Sequence, residues 1–186
     1  MFTDVRIVGS VFILAMVAMT VMRPLPATAA SATEIDRGVD AAMQALYDKV
    51  PEAQALAPQA RGILVFPKVL KGGFIFGGQY GEGALRKGGR TVGYYSIVAV
   101  SYGLQAGVQD FEYALFFMTD EALGYLDKSE GFEIGVGPSI VVVDTGVAKT
   151  LTTTTVTQDV YAFIFGQEGL MAGLGLQGSK ITKIER

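Results

Sequence analysis

Glycine inside strand-like segments is the feature that most constrains the fold of this chain. From Gly62 onward, short apolar or alternating segments are separated by glycine, a pattern typical of β-strands. Interior glycine weakens a strand unless curvature or a close approach requires it, so we predict a strongly curled antiparallel sheet or a small barrel-like core. The predicted strands are residues 62–66, 74–85, 91–104, 112–118, 132–136, 140–143, 151–157, 160–165, 170–178 and 180–184.

Helical patterns lie before and within this series of strands. Ser31 and Glu34 have the S-x-x-E spacing of a capping box, which predicts a helix start. The apolar residues that follow recur at steps of three and four, as expected for one face of a helix: Ile35, Val39, Met43 and Leu46. Thr119 is expected to cap a second, short helix over residues 120–126. The predicted fold class is therefore α+β, with an N-terminal amphipathic helix, one further short helix and the glycine-rich sheet.

Residues 1–30 are typical of a secretory signal. Arg6 precedes a continuous apolar run over residues 7–22, which is followed by two prolines and by small residues over 27–30. We expect cleavage after residue 29 or 30, which leaves one domain over residues 31–186. A retained membrane anchor is the alternative. The pattern predicts an exported protein that is periplasmic, peripheral at the cell envelope, or secreted.

Composition excludes several kinds of chemistry. The chain contains no cysteine and no histidine, so it cannot form a disulfide, a thiolate or imidazole metal site, or a Ser-His-Asp catalytic triad. A formal net charge of −3 argues against nucleic-acid binding, which needs a basic surface. Asp110 and Glu112 would share one face of a strand and are the remaining candidates for acid–base catalysis on a lipid. We expect them to be solvated carboxylates, and the protein to be no enzyme and to use neither cofactor nor metal.

Three cations surround an apolar strand near the start of the predicted sheet. Arg61 precedes the strand, and Lys68 and Lys71 lie in a Pro/Gly turn that is predicted to follow it. Backbone amides in such a turn, next to ammonium and guanidinium groups, attract anionic head groups. A basic surface loop without a ligand is the alternative.

Three segments carry a resemblance to a known family. Residues 60–83, ARGILVFPKVLKGGFIFGGQYGEG, resemble the opening signature of the SYLF domain, a lipid-binding module. Residues 103–111, GLQAGVQDF, and residues 169–179, GLMAGLGLQGS, resemble later parts of the same domain. The resemblance extends from about residue 33 to residue 186, which is nearly all of the predicted mature chain.

The resemblance implies non-catalytic phospholipid binding. Eukaryotic members recognise phosphoinositides through the domain and an amphipathic helix, and some bind actin. Mapped onto this sequence, the head-group contacts are expected from Lys68, Lys71 and Arg61. Contacts with acyl chains or with the sheet are expected from the helix residues Ile35, Val39, Met43 and Leu46. Two alternatives remain open, a small outer-membrane β-barrel and a structural or interaction protein of the envelope.

Overall fold

The described part of the chain begins with a capped helix. The computed structural model describes residues 29–73, 76–102, 107–127, 132–133, 137–143, 157–169 and 179–186. Helix α1 spans Ala32–Lys49, helix α2 spans Pro51–Leu56, and a 3₁₀ turn follows at Ala57–Gln59. The Ser31 side chain accepts from the Glu34 backbone N–H at 3.3 Å, and the Glu34 carboxylate accepts from the Ser31 N–H at 2.8 Å. The predicted capping box is confirmed.

Eight strands form one sheet. They are β1 (Gly62–Gly73), β2 (Phe76–Lys87), β3 (Arg90–Tyr102), β4 (Gly107–Phe117), β5 (Phe132–Glu133), β6 (Ile140–Val143), β7 (Val160–Gly169) and β8 (Lys180–Ile184). Their order across the sheet is β5-β8-β3-β2-β1-β4-β7-β6. Helix α3, Asp120–Gly124, follows β4 and continues into a 3₁₀ turn at Tyr125–Asp127. The predicted cap is confirmed, because the Thr119 hydroxyl accepts from the Ala122 N–H at 3.1 Å. The α+β class is therefore confirmed.

Two features of the predicted sheet differ in the structure. The pair β6 and β7 is parallel, whereas the sequence predicted an antiparallel sheet. The connection between them, residues 144–159, is long enough for the crossover that parallel neighbours need. Over the described residues the sheet is open, with β5 and β6 at its edges, so a strongly curled or barrel-like core is not confirmed. The predicted strands at 151–157 and 170–178 lie outside the described residues, except for Thr157, which is not in a strand.

The sheet separates two hydrophobic clusters. One face, which we call the α1 face, packs against helices α1 and α2. The other, the α3 face, packs against α3 and the 3₁₀ turn after it. Successive side chains of strand β1 belong to different clusters. Ile63 and Val65 belong to the cluster on the α1 face, while Leu64 and Phe66 belong to the cluster on the α3 face. A strand buried on both faces therefore reads as a continuous apolar run.

Close contact between strands explains some of the interior glycines. A Cβ atom at Gly83 would lie 2.1 Å from the carbonyl oxygen of Val65, and one at Gly81 would lie 2.8 Å from that of Lys68. These contacts occur where the register of β1 against β2 shifts, between Val65 and Lys68. The glycines therefore admit a β-bulge, which is a local irregularity and not evidence of a closed sheet.

Candidate functional site

The predicted basic turn is a continuation of strand β1. Strand β1 pairs with β2 on one side over residues 68–73 and with β4 on the other over residues 69–73, so Lys68 and Lys71 lie on an interior strand of the sheet. Pro67 is tolerated there because it falls in the bulge, where a backbone donor is not needed. The sequence signal was misleading, since proline followed by two glycines is ordinarily typical of a turn.

The two lysines point to opposite faces of the sheet because they are three positions apart on one strand. The Lys68 side chain is 63% exposed, and its Nζ lies 3.3 Å from Oδ2 of Asp110. Lys71 is buried on the α3 face, where it pairs across the strands with Gln79 and Gln109, both also buried. The structure therefore does not bring the two predicted head-group lysines together.

Arg61 lies at the other end of the strand. It precedes Gly62, the first residue of β1, and its Nε is 3.7 Å from Oδ2 of Asp120 at the start of α3. Both side chains are exposed. The three cations that are neighbours in sequence thus occupy three separate environments, and their contact with head groups stays a prediction.

The apolar stripe of α1 packs on the sheet. Ile35, Val39 and Leu46 are buried, and Met43 is half-buried against the same cluster. Of the two contacts expected for this stripe, the structure shows the one with the sheet. Contact with acyl chains would require α1 to leave that position.

A polar cluster also fastens α1 to the sheet. The Asp36 carboxylate accepts hydrogen bonds from the Thr91 hydroxyl at 2.6 Å and the Tyr94 hydroxyl at 2.9 Å. Arg86 donates to the Asp36 carbonyl at 3.2 Å and to the Asp40 carboxylate at 2.7 Å. Desolvation raises the pKa of Tyr94, and its hydrogen bond to Asp36 acts in the same direction. We call these five side chains the helix latch.

Beyond the N-terminal end of α1, no described helix or strand covers the α1 face of the sheet. Seven large apolar side chains are exposed in the described part of the chain, and five of them lie here. The five residues are Leu70, Tyr80, Val98, Val100 and Val108. Leu70, Tyr80 and Val98 form one row across β1, β2 and β3, because each pairs directly with the next. We call this patch the open sheet face.

Two glycines lie between the outer valines of the patch. Gly72 on β1 pairs with Val108 on one side and with Gly78 on the other, and Gly78 pairs with Val100. A Cβ atom at either glycine would have no neighbour closer than 3.7 Å. Unlike Gly83, these positions have room for a side chain, so packing does not explain the glycine. Interior strand glycine also occurs where a ligand approaches the backbone, which singles out this face.

Two ion pairs lie beside the open sheet face. Lys68 and Asp110 form the ion pair described above. The Tyr80 hydroxyl donates to Oε1 of Glu82 at 2.5 Å, which raises the pKa of Tyr80, and Arg186 forms a salt bridge with the same carboxylate. The carboxylates of Asp110 and Glu82 beside the patch are therefore each paired with a cation.

A cavity of about 480 Å³ connects the patch with the start of α1. Its lining includes Ala29, Ala30 and Ile35 on the helical side and Leu70 and Tyr80 on the sheet. Residues 29 and 30, which precede α1, therefore lie at the border of the open sheet face. None of the helices in the described ranges combines the length and hydropathy required to span a membrane.

Sequence reasoning missed the open sheet face. Alternation in β1 to β4 indicates two faces, but it does not say how far α1 reaches along one of them. Gly72 and Gly78 gave no usable signal, because only their contacts in the structure distinguish them from Gly81 and Gly83.

The comparison with protein families agrees with the motifs in the sequence. The model of the family described as "Ysc84: Las17-binding protein actin regulator" matches residues 98–185, from strand β3 to the end of β8. Two of the three motifs lie in that range, and the opening motif at 60–83 precedes it. No curated protein matches the chain. Residues 98–185 therefore match the Ysc84 (SYLF) family, the family that the motifs predicted.

Proposed function

We propose that this protein binds phospholipid membranes peripherally and without catalysis, as an exported protein at the cell envelope. The open sheet face is the observation that carries the proposal. Contiguous exposed apolar surface on a folded domain marks a site of interaction with a protein, a ligand or a membrane. The resemblance to the lipid-binding SYLF module favours the membrane among these.

Lys68 is the predicted head-group residue that best suits this surface. It is exposed, it precedes Leu70 by two residues on the same strand, and it therefore shares the α1 face with the patch. An anionic head group would bind the Lys68 ammonium group alongside Asp110, because that group has three hydrogen-bond donors. Because the contact is between exposed charges, salt should weaken it.

The proposed location follows from residues 1–30. Their charged start, apolar run and small residues favour export followed by cleavage. The test is the release of a shorter chain, beginning at residue 30 or 31, from cells that express the full sequence. Recovery of the uncleaved chain from the cytoplasm would contradict this part of the proposal.

Lipid binding is tested by co-sedimentation of residues 31–186 with vesicles. This part of the chain contains all the described helices and strands and nearly all of both hydrophobic clusters, so it is expected to fold alone. Vesicles of neutral lipid, and of neutral plus anionic lipid, are compared at low and high salt. We expect binding to both, stronger with anionic lipid and partly reduced by salt.

Failure to bind either vesicle would contradict the proposal. The family description names Las17 binding and actin regulation, so actin filaments are the third arm of the experiment. Sedimentation with filaments and with neither vesicle would assign the protein to a protein partner instead.

A further inference from the structure

We infer that the open sheet face, and not the apolar stripe of α1, is the surface that enters the acyl-chain layer of the membrane. The inference rests on the proposed function and identifies the part of the molecule that performs it. The helix then remains packed on the sheet while the protein is bound.

The first argument is that the apolar stripe of α1 is already buried against the sheet. Val39 and Leu46 are fully buried, and Ile35 nearly so. Release of the helix would expose these side chains together with the part of the sheet that they cover. It would also break the helix latch, including the short Arg86–Asp40 contact at 2.7 Å. Removing α1 from the sheet is therefore unfavourable on both its apolar and its polar side.

The second argument is that the open sheet face needs no rearrangement. Val100 is 81% exposed and Val108 is 70% exposed. They lie on the outer two of four adjacent strands, so roughly 14 Å of sheet separates them. The surface between them is formed by Gly72 and Gly78, which have no side chains. Hydrocarbon can therefore lie directly against the backbone between two apolar ridges.

The third argument concerns the charges at the border of the patch. Asp110 is paired with Lys68, and Glu82 is paired with Arg186 and hydrogen-bonded to Tyr80. An apolar layer that approaches the patch does not isolate either of these carboxylates. Burial of an unpaired charge would oppose insertion, and here that penalty is reduced.

The N-terminal segment favours a membrane as the occupant, because it brings the open sheet face to a membrane before the proposed cleavage. Ala29 lines the cavity beside Leu70 and Tyr80. The apolar run at residues 7–22 ends seven residues before Ala29, a separation of roughly 25 Å when extended. In the uncleaved chain, a membrane that holds this run lies within reach of the open sheet face. The other candidates are the run itself, folded onto the patch, and a second copy of the chain.

A charge-insertion series tests the surface. Val100→Asp places a carboxylate in the patch, and Val92→Asp places the same group at an exposed valine at the other end of the same strand. Both are made in residues 31–186 and compared with the parent for binding to neutral vesicles. We expect Val100→Asp to weaken binding at least tenfold and Val92→Asp to change it less than twofold. Equal binding by Val100→Asp and the parent would overturn the inference.

A disulfide that holds α1 on the sheet tests the helix. The chain has no cysteine, and a Cβ atom at Gly38 would lie 3.0 Å from Cβ of Pro67. Disulfides have Cβ atoms about 3.8 Å apart, so Gly38→Cys with Pro67→Cys needs only a small outward adjustment. The oxidised and reduced forms are compared, and each is the other's control. We expect equal vesicle binding, whereas loss of binding on oxidation would show that α1 must leave the sheet.

A fluorescence experiment tests the same surface without an added carboxylate, in case Val100→Asp disturbs folding. Val100→Cys and Val92→Cys are each labelled with an environment-sensitive fluorophore. On addition of vesicles, a blue shift at position 100 and none at position 92 supports insertion of the patch. A shift at neither position, while the protein still sediments with vesicles, would overturn it.

The same proteins distinguish the inference from its alternatives. If the parent protein does not bind vesicles at all, the proposed function fails. If it binds, but Val100→Asp only converts a dimer to a monomer in analytical ultracentrifugation, the patch joins two copies and the inference fails alone. If residues 1–186 shift the fluorophore at position 100 without vesicles, the apolar run covers the patch, and the inference again fails alone.

Discussion

The guanidinium of Arg86 on β2 donates to the carboxylate of Asp40 on α1 over 2.7 Å. The Arg86 side chain is 17% exposed, whereas the Asp40 side chain is 73% exposed, so a largely buried cation meets a carboxylate at the surface. It joins two segments that are far apart in sequence, beside the buried stripe of α1. The helix is therefore fixed to the sheet by a polar contact as well as by hydrophobic packing.

Arg86→Met should destabilise the fold. The substitution keeps much of the aliphatic stem but leaves Asp40 without this donor and removes the bond to the Asp36 carbonyl. We expect the free energy of unfolding to fall by about 1–2 kcal/mol, for the loss of one solvent-accessible ion pair and one hydrogen bond to a backbone carbonyl. Urea denaturation measures the change. Arg90→Met, at an exposed arginine of the same hairpin, is the control and should stay within about 0.5 kcal/mol of the parent.

Two strand glycines should respond differently to alanine. A methyl group at Gly83 would lie 2.1 Å from the Val65 carbonyl oxygen, which forces β1 and β2 apart. We expect Gly83→Ala to lower the free energy of unfolding by about 2 kcal/mol or more, as for other strained or overpacked sites. Gly78→Ala meets nothing within 3.7 Å and should be neutral or slightly stabilising. Thermal denaturation of both variants compares them, and similar losses would contradict this explanation of the glycines.

A leucine of α1 and a leucine of the open sheet face should differ in the same way. Leu46 of α1 is fully buried against the sheet, and Leu46→Ala should reduce the free energy of unfolding by about 2–5 kcal/mol. Leu70 is half exposed in the open sheet face, so Leu70→Ala should reduce it by less than about 1 kcal/mol. Urea titrations of the two variants give both values. A large loss for Leu70→Ala would show that this face is covered in the folded protein.

Stability should decrease above pH 10. Burial, followed by the charge of Asp127 and the hydrogen bond to it, raises the pKa of Tyr95 to about 12. The unfolded chain ionises this phenol near pH 10, so its contribution is complete below pH 10 and is lost as the pH rises toward 12. We expect a loss of about 1–2 kcal/mol over this interval. Unfolding in urea at pH 8, 10 and 11 measures it.

Tyr95→Phe is the matched variant for the alkaline loss. It removes the ionisable hydroxyl and keeps the ring, so the slope of stability against pH should become shallower between pH 10 and 12. Burial also raises the pKa of Tyr113, which preserves part of the dependence. A Tyr95→Phe slope identical to that of the parent would exclude Tyr95 as a source of the effect.

Short sequence patterns predicted the elements whose stabilising contacts lie within a few residues along the chain. The Ser31–Glu34 spacing located the start of α1 because a capping box is formed within four residues. The turn at Lys87–Arg90 is a tight hairpin because Gly88 and Gly89 adopt positive φ angles of 55° and 78°. The path of β1 past Pro67 could not be predicted in this way, since the bulge there exists only against β2 and β4.

The sequence by itself determined the α+β class, the capped helix, most of the strands and the resemblance to the SYLF family. It did not decide which charged and apolar residues are accessible. Lys68 and Lys71 are equivalent in the sequence, yet one is exposed and the other is buried. Ile63 and Leu70 belong to the same strand and the same face, yet α1 covers only Ile63. Burial depends on how far a distant segment extends over a face, and only the tertiary structure specifies that distance.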